Sequence, residues 1–339
     1  MGGKTDLRPT MDDIAAAAGV SQMTVSRVMR GTGQTSDEVR KRVEMAARSL
    51  GYVPNRLATA LRDETAPLIA VVLPTLGNRV FSEVLNGVSS TLTNSGLQPV
   101  FGVTEYSTER EEELVRDLLS WRPRGIVLPG LEHSDAMRAA VRASGVRVAE
   151  VMDIDGDPIS VAIGLSQIAA GRSTALHMLS KGYRRFGYIG SQGGRDLRAV
   201  KRLDGFRAAI REAGAQIVSE RIATEPSSMT IGRKETANLL SDVTPPEAVY
   251  YSNDDLAAGG IMHCLSEGIA IPSQVALAGF NGLAFLEALP VRLTTVETPR
   301  HQMGVEAALH LLGRRDIPDE NTNKKVVDLG FRLIEGETC

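Results

Sequence analysis

From Leu68 onward, short apolar runs alternate with amphipathic helical segments, and this rhythm limits the possible folds more than any other feature. LIAVVLP (Leu68–Pro74) is apolar throughout and rich in β-branched residues, as a strand buried on both faces must be. FSEVLNGVSSTLTNSG then reads as a helix closed by Gly96, PVFGVT as a strand, REEELVRDLLSW as a helix, GIVLP as a strand, DAMRAAVRASG as a helix and VRVAEVM as a strand. The same order continues through ISVAIG, AAGRSTALHMLSKG, RFGYIG, RLDGFRAAIREAG, GRKETANLLS, AVYYS, LAAGGIMHCLSEG, QVALAGF and LTTVET. Repeated strand–helix units imply α/β architecture with parallel sheets covered on both faces. The strands are too many for one comfortable sheet, so two doubly wound parallel-sheet subdomains facing a cleft is the economical arrangement.

The residues before this alternation read differently. Thr10–Arg30, TMDDIAAAAGVSQMTVSRVMR, has the pattern of two short helices joined by a tight turn. Thr10 can cap the first helix, with Asp13 as the reciprocal partner of a capping box. Gly19 supplies the backbone freedom that a helix end needs before a sharp turn. Ser21 caps the second helix. On that helix Val25 and Val28 fall on one side, while Gln22, Met23, Ser26 and Arg27 share the other. So short a helix must be held by packing, which leaves its polar arc free to touch something else. Gln22 and Arg27 can make bidentate contacts to base edges, and Thr24 and Ser26 suit phosphates. An ordinary helical hairpin with a solvated face would have the same pattern.

Ser36 caps a third helix, Asp37 to Leu50, stopped by Gly51. In YVPNRLATALR (Tyr52–Arg62), Pro54 breaks what precedes it. Asn55–Leu61 is then too short to be stably helical alone but can fold against a partner. TMDDIAAAAGVSQMTVSRVMRG followed by RVEMAARSLGYVPNRLATALR resembles the headpiece and hinge of the lac-repressor/gal-repressor (LacI/GalR) family. The resemblance implies that Gln22, Met23 and Arg27 read the major groove, with Thr10, Ser21, Thr24 and Ser26 also at the DNA-facing side. It implies that Asn55, Arg56, Ala58 and Leu61 belong to a hinge that enters the minor groove, Leu61 standing where an apolar wedge opens a base step.

The resemblance extends over the whole chain and implies a headpiece at residues 1–54, a hinge helix and linker at 55–66, and a periplasmic-binding-protein-like effector-binding and dimerisation domain at 67–339. Within that domain the chain would cross between subdomains near Ser166, Val296 and Lys325. Subdomain N would hold about 67–165 and 297–324, and subdomain C about 166–296 and 325–339.

Charge is divided along the chain in the same way. Residues 1–62 carry ten Lys/Arg against six Asp/Glu, a balance of +4, whereas the whole chain carries −3. A basic module on an acidic body suits a protein that grips phosphates through one end. No opening apolar run marks a secretory signal, and no stretch approaches the length of a membrane span. Cys264 and Cys339 are far apart in sequence and argue against a disulfide framework, which fits a reducing cytoplasm.

Ligands of doubly wound folds sit beyond the carboxyl ends of the strands. There the sequence places Asn78, Phe81, Asp153, Ser166, Arg198, Arg202, Asn253 and Asn281, a set able to hold hydroxyls and charged oxygens of a small polar ligand. Within the family, LPTLGNRVFSEVLNGV, LLSWRPRGIVLPG, VAEVMDIDGDPISVAIG and VDLGFRL resemble the gluconate-utilisation repressors. Two positions where many relatives carry acids are neutral here: Asn281 after VALAGF, and Ser166 followed by Gln167 at the first crossing. Arg202, in RLDGF, stands at the family's ligand-gripping arginine. A carboxylate would be repelled by the usual acids and held by a guanidinium fork. The expected effector is therefore gluconate or a keto or phosphorylated derivative, with a neutral sugar or a nucleobase as the alternative.

Other classes fit less well. A secreted sugar receptor would need a leader and lack the headpiece. An architectural DNA protein would not need the large second domain. A sugar-processing enzyme would need a catalytic constellation, and neither GxxxxGK[ST], HExxH nor GxSxG is present. The glycines of GSQGGR (Gly190–Arg195) match neither nucleotide fingerprint, and His263–Cys264 lacks further ligands at metal spacing. The reading is a dimeric, cytoplasmic, non-enzymatic repressor without cofactor or metal, with operator double-stranded DNA and a small sugar acid as its partners.

Overall fold

The structure, a computed structural model, describes residues 9–32, 34–53, 65–314 and 325–339. The expected hinge positions Asn55, Arg56, Ala58 and Leu61 lie outside these residues. The chain divides into two compact units, Met1–Ala66 and Pro67–Cys339.

The first unit contains α1 (Met11–Ala18), α2 (Gln22–Arg30) and α3 (Asp37–Ser49). Each start is set by a hydroxyl that accepts from an otherwise unpaired backbone N–H. Thr10 forms a full capping box with Asp13, Ser21 accepts from the Thr24 N–H, and Ser36 accepts from the Val39 N–H. Gly19, at φ 62°, takes the left-handed conformation that ends α1. Ile14, Val25 and Val43, one from each helix, are fully buried, with alanines filling the space around them.

The second unit runs β1 (Ala66–Leu73), α4 (Arg79–Leu92), β2 (Gln98–Val103), α5 (Thr108–Ser120), β3 (Pro123–Pro129), α6 (Asp135–Ser144), β4 (Arg147–Val151) and β5 (Val161–Gly164). It continues with α7 (Gln167–Ser180), β6 (Arg185–Gly190), α8 (Leu197–Glu212), β7 (Gln216–Ile222), α9 (Met229–Leu240), β8 (Ala248–Tyr251), α10 (Asp254–Glu267) and β9 (Ala276–Ala278). The last elements are β10 (Thr295–Glu297), α11 (Arg300–Leu311), β11 (Lys325–Asp328) and β12 (Arg332–Ile334). They build a six-stranded sheet in the order β11-β5-β4-β3-β1-β2, a four-stranded sheet in the order β7-β6-β8-β9, and an antiparallel pair β10-β12.

The all-apolar strands are explained by burial on both faces. Along β1, Ile69, Val71 and Leu73 enter the core beneath α4 and α11, while Ala70 and Val72 enter the core beneath α5 and α6. In the second sheet Phe186, Tyr188 and Tyr250 pack toward α7 and α8, whereas Ile189, Val249 and Tyr251 face α9 and α10. Phe206 of α8 stacks on Tyr250 with ring centroids 4.8 Å apart. Three helix pairs meet through glycines: α4 and α11 at Gly87 and Gly304, α7 and α8 at Gly171 and Gly205, α9 and α10 at Gly232 and Gly259.

One expected boundary needs correcting. The chain does not leave the first subdomain near Lys325. Strand β11 pairs in parallel with β5, Val326 opposite Ala162 and Val327 opposite Ile163, so residues 325–328 belong to the first sheet and the crossing follows Asp328. The paired β-branched valines extend the parallel sheet by one more strand before the chain turns into β12. Among the described residues no helix is long and apolar enough to cross a membrane.

Candidate DNA-reading helix and effector cleft

In the first unit, packing decides which face of α2 is free. Val25 is fully buried, whereas Met23 is 62% exposed and Gln22 and Arg27 are exposed beside it. The Arg27 guanidinium lies over the preceding turn, Nη2 3.4 Å from Met23 Sδ. The Thr24 and Ser21 hydroxyls are 2.9 Å apart and bond to each other at the start of the helix, and Thr10 is likewise engaged with Asp13. Arg30 Nε donates to the Ser26 carbonyl at 2.8 Å. The outward arc is thus two long polar side chains and one flexible thioether on a short, capped helix.

The second unit brings six of the eight expected ligand residues into one cavity of about 430 Å³: Asn78, Phe81, Arg198, Arg202, Asn253 and Asn281. Asn78, Asn253 and Asn281 stand in the loops that follow the carboxyl ends of strands, and Phe81, Arg198 and Arg202 lie in the first two turns of the helices α4 and α8. Asn78 caps α4 through the Val80 N–H, and Asn253 caps α10 through the Leu256 N–H, so each amide oxygen is fixed by a helix end. Asn281 follows β9 at φ 121°, a conformation that few side chains adopt. It is held there because its N–H donates to the Val296 carbonyl at 2.9 Å while its own carbonyl receives the Arg300 guanidinium. Asp254 anchors the same loop, accepting from the Leu283 N–H and the Thr295 hydroxyl, and complete burial pushes its carboxyl up to about 6.

The two arginines of α8 differ in charge balance. Arg198 pairs with Asp196, Nη2 3.1 Å from Oδ1, and lies over the Phe81 ring. Arg202 is 5% exposed. Its Nη1 donates to Gln167 Oε1 at 2.6 Å, its Nη2 donates to the Ser252 carbonyl at 2.9 Å, and its plane sits 3.9 Å over the Phe280 ring. These partners are neutral, as is the buried Tyr250 hydroxyl that also lies against the guanidinium.

Two expected ligand residues do not line the cavity. Ser166 caps α7, accepting from the Ala169 N–H at 3.0 Å. Asp153 is fully buried against Lys201. Burial holds its carboxyl above the usual range, and Lys201 draws it back down. Conversely, Gln167, Tyr106, Asp196, Phe280 and Thr298 line the cavity although the sequence assigns them no ligand role. Tyr106 lies three residues past the end of a strand in a turn at positive φ, so its position after β2 was the available signal. An adjoining cavity of about 400 Å³ shares Asn78, Tyr106, Asp196 and Asn253 and adds the neutral polar groups of Thr75, Ser191, Gln192 and Ser227.

Known proteins resemble both units. Residues 10–55 match the lacI family of bacterial regulatory proteins, and residues 175–339 match a periplasmic binding protein-like domain. The chain is 37% identical to the HTH-type transcriptional regulator GntR of Pseudomonas aeruginosa, over 99% of this chain and 97% of that protein. It is 33% identical to the HTH-type transcriptional regulator GntR of Escherichia coli K12, over 97% of this chain and 98% of that protein. Its structure matches that of a LacI-family transcriptional regulator from Silicibacter pomeroyi with a TM-score of 0.91 at 42% identity, covering 97% of this chain and 99% of that one.

Proposed function

This chain belongs to the lacI family of bacterial regulatory proteins and is a transcriptional repressor of that family, and from this premise we propose that a sugar acid of the gluconate type sets its affinity for operator DNA. The observation that carries the reading is Arg202. A nearly buried guanidinium whose partners are a carboxamide oxygen, a backbone carbonyl and a ring face keeps its positive charge uncompensated. Closing the cleft around a carboxylate offsets that charge, whereas a neutral sugar or a nucleobase leaves it unpaired in a low-dielectric site. Asn78, Asn253, Asn281 and Thr298 offer donors and acceptors for hydroxyls. The resemblance of the effector domain to gluconate-utilisation repressors supports the same ligand class.

In this reading Gln22, Met23 and Arg27 read base edges in the major groove, and Asn55, Arg56, Ala58 and Leu61 form the hinge that enters the minor groove. The protein acts as a homodimer in the cytoplasm, because a twofold operator needs two headpieces. It controls carbohydrate-utilisation genes. The headpiece ends near residue 54, and the effector domain begins near 67. Titrating gluconate, 2-ketogluconate, 6-phosphogluconate, glucose, ribose and hypoxanthine against the fluorescence anisotropy of a labelled operator complex tests the proposal. A change in operator affinity is expected only with sugar acids. A response to a neutral sugar with every sugar acid silent overturns it.

A further inference from the structure

Gln167 is the first residue of α7 and is 2% exposed. Its amide spans two subdomains. Nε2 donates to the carbonyl of Met152 at 2.5 Å, at the end of β4 in the first sheet. Oε1 accepts from Nη1 of Arg202 at 2.6 Å, on α8 of the second subdomain. Which end of the amide faces which partner is forced. A carbonyl takes only a donor and a guanidinium offers only donors, so the oxygen must face Arg202.

The backbone beneath this pair is equally constrained. One turn along α7 from Gln167, a Cβ on Gly171 would stand 1.8 Å from the carbonyl oxygen of Arg202. Helices α7 and α8 therefore touch backbone to backbone directly under the bridge, and the side chains of Gln167 and Arg202 meet at fixed reach.

We infer that Gln167 is the residue that sets the charge preference of the cleft: it aims the Arg202 guanidinium with a neutral oxygen, and so leaves the full positive charge for the carboxylate of the effector. This rests on the sugar-acid reading of the same site. A glutamate here would have almost the same shape, but it would neutralise Arg202 and turn a second oxygen toward the Met152 carbonyl with no proton to share. An apolar residue of similar length would release Arg202 without cancelling its charge. Gln167 is thus a positioning residue for Arg202 whose neutrality matters as much as its reach.

The test compares gluconate binding by calorimetry for the full-length wild-type protein, Gln167→Glu and Gln167→Met, with operator binding in the absence of gluconate reporting that each variant is folded. Gln167→Met is expected to weaken gluconate by about tenfold, the loss of one fixed charge-assisted contact. Gln167→Glu is expected to weaken it by at least a further tenfold or so, because the guanidinium is then already paired. A purely structural role for Gln167 predicts equal losses in the two variants, and that result, or wild-type affinity in Gln167→Glu, overturns the inference alone. A wild-type protein that binds no sugar acid overturns the sugar-acid reading and this inference together.

Discussion

Lys201 of α8 reaches from the second subdomain to the fully buried carboxylate of Asp153 in the first, with Nζ 2.5 Å from Oδ2. The same ammonium donates to the Asp155 carbonyl at 2.7 Å and pairs with Glu132. An ion cluster therefore ties the subdomains beside the cleft, Lys201 lying next to Arg202 and three residues after Arg198 on α8.

Lys201→Met removes that tie and leaves Asp153 buried without a cation. Breaking a buried pair from one side costs about 3–5 kcal/mol. The Asp153 carboxyl already lies above its ordinary value because burial disfavours the charged form. A raised folded-state value means that stability is retained at low pH and lost as pH rises through it. Urea unfolding of the variant should therefore show its largest deficit near neutral pH and a smaller one in mild acid. An equal deficit at all pH values would place the cost elsewhere than on Asp153.

That Asp153 pairs with Lys201 was invisible in the sequence, because position after a strand says where a carboxylate stands but not what reaches it from 48 residues away. The same limit hid Gln167, whose amide acquires a direction only when Met152 and Arg202 are both in place. The six residues that do line the cavity were legible because strand ends are local features and parallel sheets gather them at one edge. Thr10, Ser21 and Ser36 were legible for a similar reason, since a cap bonds to a backbone only three residues on. Strand β11 was misassigned because KKVVDLG carries strand character but nothing local names its neighbour β5.

Glu150 offers a second pH-dependent prediction. Its side chain is fully buried on β4, accepting from the Ile159 and Ser160 N–H groups beside His133, and burial pushes its carboxyl up to about 7. With the folded value raised above the unfolded one, its contribution is fully present below about pH 4.5 and is lost as pH rises through about 7. Glu150→Gln keeps an acceptor for both N–H groups and removes the titration. The variant should be more stable than wild type at pH 8 by roughly 2–3 kcal/mol, with little difference at pH 5. Thermal unfolding across that range checks it, and parallel pH profiles for the two proteins would contradict it.

Gly171→Ala places a methyl group against the Arg202 carbonyl oxygen. Helices α7 and α8 must separate, at a cost of about 1–3 kcal/mol, and Arg202 moves with its backbone. Gluconate affinity should fall by more than tenfold or so, since the site depends on placement within a fraction of an ångström. Calorimetry on a folded variant that keeps full affinity would show that the glycine contact does not position the arginine.

In the headpiece, Ser21→Ala deletes the cap of α2 and should cost about 1 kcal/mol of stability. Arg27→Ala should cost about 1–3 kcal/mol in operator binding and much less on random DNA, if the guanidinium leaves Met23 to meet a base edge. Gel-shift titrations on both DNAs decide the point. Equal weakening on both would assign Arg27 to the phosphates.

Selection of an anionic effector by the charge of Arg202 is the proposal on which the reading of the cleft depends. Its most direct measurement is isothermal titration of gluconate and of its neutral counterpart sorbitol into wild type and Arg202→Gln. Wild type should prefer gluconate by at least two orders of magnitude or so, and Arg202→Gln should lose that preference while still binding operator DNA. Undiminished preference for gluconate in Arg202→Gln, or tighter binding of sorbitol by wild type, would show that this charge does not select the effector.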